Sequence, residues 1–184
     1  MSDAGGPYVF DSGPLSHFAQ SGWLGLLRKV TGGSPAWIPQ SVHREVSDGV
    51  DRHPHLHVIL DAPWLDVRSI STTSETAAFA RFTSRLVGSD RRKNVGECET
   101  LALAEMNGGV AVLDDRAAWT VASEFGVETV TSLGLLCDLV REGHLGLEVA
   151  GDVADMLLET EYHLPIGPGG FKIWAVQNGY LEYE

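Results

Sequence analysis

The chain is poor in the features that would place it outside a cell or in a bilayer. It has two cysteines in 184 residues, Cys98 and Cys137. Both fall in apolar, helix-like patterns, too few for a disulfide framework, and a reduced cytoplasmic setting is the simpler reading. No stretch approaches the ~18 uninterrupted apolar residues of a membrane span, and the N-terminus lacks a basic-then-apolar signal pattern. There is no repeat or low-complexity tract. No G-x-G-x-x-G follows a strand, which argues against dinucleotide binding. Positive charge is scarce too: 13 Lys and Arg stand against 25 Asp and Glu, a net of −12. That balance disfavours a nonspecific polyphosphate binder. The shortage is local. Residues 1–93 carry ten basic and nine acidic side chains, whereas residues 94–184 carry three and sixteen. RNA or DNA is repelled by such a surface unless cations intervene or the basic groups are focused in one place.

What is present is enough for a core, since 43% of residues are hydrophobic. Short apolar runs alternate with longer helical patterns. Tyr8-Val9-Phe10 is a strand followed by Asp11-Ser12-Gly13-Pro14, and then a helix carrying Leu15, Phe18, Leu24, Leu26 and Leu27. Ala36–Ile38 is a second strand, leading into a helix with Val42, Glu45 and Val46. Residues 51–60 read as a further helix. Trp64–Ile70 alternates like a strand near a sheet edge. Thr72 and Glu75 form a capping-box pattern opening a helix to about Val87. Asn94–Met106 is the clearest helix, ended by Asn107-Gly108-Gly109. Val110–Leu113 reads as a strand buried on both faces. A helix over 117–125, a strand over 126–130 and a helix from Ser132 towards Gly143 follow. Strands alternating with helices predict parallel pairing through right-handed crossovers. The expected fold is α/β, a three-layer α/β/α sandwich around a parallel sheet of about five strands. Residues 1–145 form the expected main domain. Residues 146–184 form an extension: a helix over 146–160, a hinge at Pro165–Gly170 and a tail.

In a parallel sheet the residues just past the strands gather on one edge, where α/β ligand sites lie. Asp11 follows the first strand, and Asp114 and Asp115 follow Val110–Leu113. Glu45 sits in the helix after the second strand, and Glu97 and Glu99 begin the helix before Val110. Each acid taken singly also fits a helix cap, and Asn94 with Glu97 makes a capping-box pair. As a set they describe a carboxylate cluster whose mutual repulsion a hard divalent cation, Mg²⁺ or Mn²⁺, would resolve. Such an ion turns an acidic cleft into a phosphate receptor. No histidine or cysteine accompanies these acids at zinc-like spacing. Glu97 and Glu99, two apart on a helix, diverge by about 200°.

The ordered set Val9-Phe10-Asp11-Ser12-Gly13-Pro14-Leu15, Ile38-Pro39 with Glu45, Gly96-Glu97-Cys98-Glu99-Thr100-Leu101-Ala102-Leu103-Ala104, Val112-Leu113-Asp114-Asp115-Arg116-Ala117-Ala118 and Thr131-Ser132-Leu133-Gly134-Leu135-Leu136 resembles the PIN-domain nucleases. It is most similar to the VapC-like branch, with its G-E-x-E helix start and D-D-x-x-A strand end, over about residues 8–145. The resemblance implies a metal-dependent endoribonuclease acting on single-stranded or structured RNA, often the toxin of a toxin–antitoxin pair with a small antitoxin protein as partner. It implies in-line attack of a metal-activated water, leaving a 5′-phosphate and a 3′-hydroxyl. Carried over, Asp11 and Glu45 are the first two acids. Glu99 is favoured over Glu97 as the third, and Asp114 or Asp115 supplies the fourth. Thr100 departs from the family's usual Ala. The alternative is a non-catalytic PIN-like module that binds RNA or protein.

Arg91-Arg92-Lys93 is the only basic cluster; it would steer RNA, with Arg44 and Arg116 nearer the acids, or form a solvated loop. His53-Pro54-His55-Leu56-His57 reads better as a surface segment than as a metal site. Ser12, Thr131 and Ser132 read as caps. The five tryptophans are scattered at core-compatible positions, not interleaved with Arg or Lys, so a stacking platform is poorly supported. Asp11 is followed two residues later by Gly13, not by a second Asp, which argues against an Asp-x-Asp phosphatase. The apolar helix Leu133–Val140 is of a kind that supports pairing of two copies into a homodimer.

Overall fold

The computed structural model describes residues 5–86, 94–160 and 162–182. Five short strands, β1 (Tyr8–Phe10), β2 (Ala36–Pro39), β3 (Leu65–Arg68), β4 (Val110–Val112) and β5 (Thr129–Val130), form one sheet. All neighbours pair in parallel, in the order β3-β2-β1-β4-β5. β1 therefore lies between β2 and β4, and the sheet is built outward from it in two directions. Tyr8, Val9 and Phe10 pair with Val110, Ala111 and Val112. The α/β/α sandwich expected from the alternation of elements is present.

Side-chain alternation along the strands assigns the two faces. Phe10, Ala36, Ile38 and Val112 point into one apolar layer, and Val9, Ala111 and Leu113 into the other. The first layer is closed by α1 (Ser12–Gln20), α2 (Leu24–Val30), α3 (Gln40–Gly49), a 3₁₀ turn at Pro54–Leu56 with α4 (His57–Leu60), α8 (Ser132–Arg141), α9 (Leu147–Glu159) and α10 (Phe171–Gln177). The second is closed by α5 (Thr73–Leu86), α6 (Val95–Met106) and α7 (Arg116–Phe125).

Several elements differ from the sequence expectation. The first long helix is two: Gly22 takes φ +81°, a left-handed conformation open to glycine, and the chain turns between α1 and α2. Residues 51–60 give only a 3₁₀ turn and one turn of α-helix, because Pro54 lacks the amide a longer helix needs. The Asn94–Glu97 capping box does not form. Asn94 sits at φ +62° with no side-chain cap, and its side-chain Nδ2 donates instead to the Leu86 carbonyl. The Thr72–Glu75 box does form: the Glu75 amide donates to Thr72 Oγ1, and the Thr72 amide donates to the Glu75 carboxylate.

The C-terminal segment packs into the same core as the strands. Ala150, Val153, Ala154, Leu157, Phe171 and Ala175 are buried in the layer that holds Phe10 and Leu15. Phe171 and Ala175 lie on α10, where the sequence gives only a tail. The apolar side of α8 is used in the same way, with Leu133, Leu135, Leu136 and Leu139 buried. Cys98 and Cys137 are buried and unpaired. Burial pushes their thiols up to about 11 and about 12, so both are protonated at neutral pH.

Candidate active site

The sheet order places a topological switch point between β1 and β4, the position where open α/β sheets bind ligands at the strand C-termini. Asp11 is the first residue beyond β1, its amide donating to the Val112 carbonyl at 3.0 Å. Asp114 and Asp115 lie just past β4. The elements that bring the acids together are thus the two central strands and the starts of the helices that follow or precede them.

Asp11 is the centre of the group. It precedes α1 in extended conformation, yet its side chain closes no cap bond with that helix. It is 7% exposed. Burial is the main cause that pushes its carboxyl up, to about 8; the neighbouring Glu97 and Glu45 charges add to it, and the backbone amides of Ser12 and Gly13 pull the other way. Gly96, at the start of α6, explains how the second acid-bearing helix comes so near. A Cβ there would lie 3.1 Å from Val42, 3.2 Å from Asp11 Oδ1 and 3.9 Å from Glu45 Oε2. Any side chain at 96 would press on Val42 and on the Asp11 carboxylate.

The remaining acids divide by what they already bond. Glu45 is exposed and accepts from Ser12 Oγ at 3.2 Å. Glu97 is raised by burial first and then by the charges of Asp115 and Glu45, so it belongs electrostatically with Asp11. Glu99 points elsewhere: one of its oxygens accepts from the Ser41 amide at 2.8 Å and from Ser41 Oγ at 2.5 Å, tying α6 to the start of α3. The divergence expected of residues two apart on a helix is therefore realised, with Glu97 directed to the acids and Glu99 to a helix N-terminus. Asp115 caps α7 by accepting from the Ala118 amide at 2.8 Å. Asp114 accepts from the Ser132 amide at 2.8 Å and Ser132 Oγ at 2.6 Å, and also from the Tyr162 hydroxyl. Burial raises its carboxyl and these donors offset part of the effect.

Tyr162 is the residue that sequence reasoning missed. It belongs to the segment after α9, and its hydroxyl oxygen would lie 3.0 Å from a Cβ placed on Gly13. Its ring stacks on His17 with centroids 3.7 Å apart and planes 12° from parallel. His17 Nδ1 meets Thr160 Oγ1 at 2.5 Å. Burial, and then the Asp114 carboxylate, raise the phenol well above its ordinary range. Burial pushes His17 down to about 4, helped by His55, so the imidazole is neutral where it stacks. Nothing in the local sequence around Tyr162 signals this; only its hydrogen-bond reach across the fold does.

Two of the three hydroxyl residues read as caps serve carboxylates instead. Ser12 donates to Glu45 and Ser132 to Asp114, and only Thr131 caps its helix, accepting from the Gly134 amide at 3.1 Å. Two clefts meet at Ser12 and Glu45. One, of about 730 Å³, runs past Arg44, Arg52 and Glu97; the other, of about 490 Å³, runs past Arg52, His17, His53 and His55. Arg44 and Arg116 are exposed, and Arg52 is a further cleft arginine that the sequence reading did not single out. Arg91, Arg92 and Lys93 lie outside the described residues.

The donor set is all oxygen, and Asp11 holds a buried carboxyl against two neighbouring acids, the situation a hard divalent cation relieves. Among the described residues no three His, Cys, Asp or Glu side chains are arranged as a ready coordination sphere. The residues fit such an ion by chemistry and by the burial of Asp11.

Comparison with known proteins bears on the whole arrangement. No curated protein and no solved structure matches the chain. A family model described as a PIN domain matches residues 7–166, a span that takes in every acid above and reaches Tyr162. With the parallel sheet, the acids at its switch point and that match, the chain belongs to the PIN-domain family, whose members are generally nucleases.

Proposed function

We propose that this protein is an endoribonuclease dependent on Mg²⁺ or Mn²⁺ that hydrolyses phosphodiesters of single-stranded RNA. The observation that supports this most is the state of Asp11: a buried carboxyl at the β1/β4 switch point, pushed up by burial, Glu97 and Glu45. Asp11, Glu45 and Glu97 would hold the ion, with Asp114 or Asp115 as the fourth acid. When bound, it would polarise a phosphoryl oxygen and lower the pKa of a water. The chain's own residues do the rest. Ser12 orients Glu45, Gly96 lets α6 close on Asp11, and Arg44 and Arg52 face the cleft where an RNA backbone would lie. Glu99 through Ser41 and Asp114 through Ser132 also tie down the starts of α3 and α8 and so set the shape of the edge. Membership of the VapC-like branch and a toxin role with an antitoxin partner are part of the same reading; they rest on the G-E-x-E and D-D-x-x-A segments. A small DNA-binding protein encoded beside this chain would support them.

The test is cleavage of a single-stranded RNA at saturating Mg²⁺ or Mn²⁺, with p-nitrophenyl phosphate as the control substrate. Groups that only orient a metal ligand cost about 10–100-fold when lost, so loss of a ligand itself should exceed that. Asp11→Asn and Glu97→Gln are expected to lower cleavage by more than about 100-fold. The melting temperature of Asp11→Asn should be kept, because Asn is isosteric with a carboxyl whose charged form burial already disfavours. An unchanged rate in Asp11→Asn removes the reading. RNA binding without cleavage in the unaltered protein favours the non-catalytic module.

A further inference from the structure

A third cavity, of about 430 Å³, opens beside the acids and has no part in the reading above. Asp114 is one of its lining residues. Its walls include Trp119, Trp174, Leu133, Leu164 and Arg116. The volume is in the range of small-ligand pockets, and the lining is mostly apolar with few polar groups.

Three observations say what would enter it. Trp119 lies on α7 three residues from Arg116, so both occupy one helix face. The sequence reads all five tryptophans as core-compatible, but the Trp119 indole is 46% exposed and belongs to neither buried cluster, so core packing does not account for it. Trp174 is held from behind by Tyr180, whose ring lies 5.2 Å away and 19° from parallel. The cavity is also continuous with the acidic edge through Asp114. Asp11 and Asp114 follow the paired strands β1 and β4, so a chain with one phosphate at Asp11 would bring a neighbouring base to this cavity. A base is neutral and flat. It escapes the repulsion that the acidic half of the chain exerts on phosphate, and Arg116 offers a cation to the next one.

The geometry points to a nucleobase pocket: Trp119 and Trp174 receive one unstacked base of a single-stranded RNA, with Arg116 on its adjoining phosphate. This assignment rests on the proposed nuclease reading and names what sets its substrate position. The sequence places Arg116 and Trp119 three apart, but their joint exposure beside Asp114 emerges only in the fold.

The experiment measures equilibrium binding of a fluorescent single-stranded RNA hexamer to the full chain carrying Asp11→Asn, so that nothing is cut. Each hexamer position is replaced in turn by an abasic ribose. Stacking of one base corresponds to about 5- to 150-fold in affinity. Trp119→Ala is expected to weaken binding within that range, and Trp119→Tyr to restore it; Trp119 is exposed, so both should fold. One abasic position should weaken the Asp11→Asn protein equally and cause no further loss in the Trp119→Ala protein. Unchanged affinity in Trp119→Ala, or abasic losses that simply add to it, overturns the pocket. So does a Trp119→Ala protein that loses binding to a protein partner but not to RNA. The two readings fail separately. Cleavage that persists while Trp119 has no effect sinks the pocket alone, and coupled base binding in a chain that never cleaves sinks the nuclease alone.

Discussion

At the scale of single residues, the site is set less by the acids than by the groups that spend some of them. Tyr162 is the sharpest case. Its hydroxyl donates to Asp114, and its ring is fixed by the His17 stack, itself held by Thr160. Tyr162→Phe removes one hydroxyl and leaves the stack. Asp114 keeps both Ser132 donors, so the fold should survive with a melting temperature lowered by only a few degrees. If Asp114 must be held in one orientation for catalysis, kcat should fall about 10–100-fold with KM unchanged, since Tyr162 orients an acid and does not bind RNA. A lowered melting temperature with kcat unchanged at a permissive temperature would make Tyr162 purely structural. The same scale shows where reading the sequence stops. Asp11, Glu45 and the doubled acid of α6 are visible as acids near strand and helix ends. Whether Glu97 or Glu99 faces Asp11 depends on where Ser41 lies after folding, 58 residues away from Glu99. Tyr162 is 48 residues from the carboxylate it touches and sits in an irregular segment, so no periodicity marks it.

Among the elements, α5 carries the clearest link between sequence, charge and stability. Glu75 accepts from the Ser71 amide at 2.9 Å, the Thr72 amide at 3.0 Å and the Asn107 side chain at 3.2 Å, joining the start of α5 to the end of α6. The Ser71 amide is the largest cause, followed by the Thr72 amide and the side chains of Asn107 and Ser71, that holds its carboxyl down at about 2, against a burial effect that raises it. The folded value lies below the ordinary 4.5, so the charged form adds stability above about pH 4.5 and loses it as pH falls towards 2. Glu75→Gln should remove on the order of 2 kcal/mol at neutral pH, or about 4–8 °C in melting temperature for a chain of this size. That gap from the unaltered protein should narrow as pH is lowered from 5 to 2.5. A gap constant across that window would mean the carboxylate charge is irrelevant to the cap. Elements of this kind were legible because Thr72-x-x-Glu75 is a local device closed within one turn. The paired Asn94–Glu97 pattern was equally visible and did not close, because Asn94 takes a left-handed φ and bonds Leu86. The break between α1 and α2 turns on Gly22, a single glycine whose sign of φ the apolar periodicity around it does not report.

At the scale of the whole molecule, the proposed function requires an acidic protein to hold a polyanion. With a net charge of −12, general attraction is absent, and binding has to come from a few focused contacts. Among the described residues, Arg44, Arg52 and Arg116 are the exposed cations lining the clefts and the cavity beside the acids. For a single strand each phosphate neutralised contributes about 0.7 to the slope of log K against log salt, so three contacts predict a slope of about −2. The measurement is binding of the RNA hexamer to the Asp11→Asn protein from 50 to 300 mM monovalent salt at fixed Mg²⁺. Arg44→Glu should flatten the slope by about 0.7 and weaken every RNA sequence alike, because a phosphate contact carries no base information. A slope near −4 would instead mean about six contacts, which would bring Arg91, Arg92 and Lys93 onto the RNA; Arg91→Glu with Arg92→Glu would then take back about 1.4 of it. The shallow slope is the outcome the charge distribution favours. A protein that relied on many cations would have to overcome thirteen surplus acids in residues 94–184, whereas one that relies on an ion at Asp11, a stacked base and three arginines gains specificity from the repulsion of everything bound less exactly.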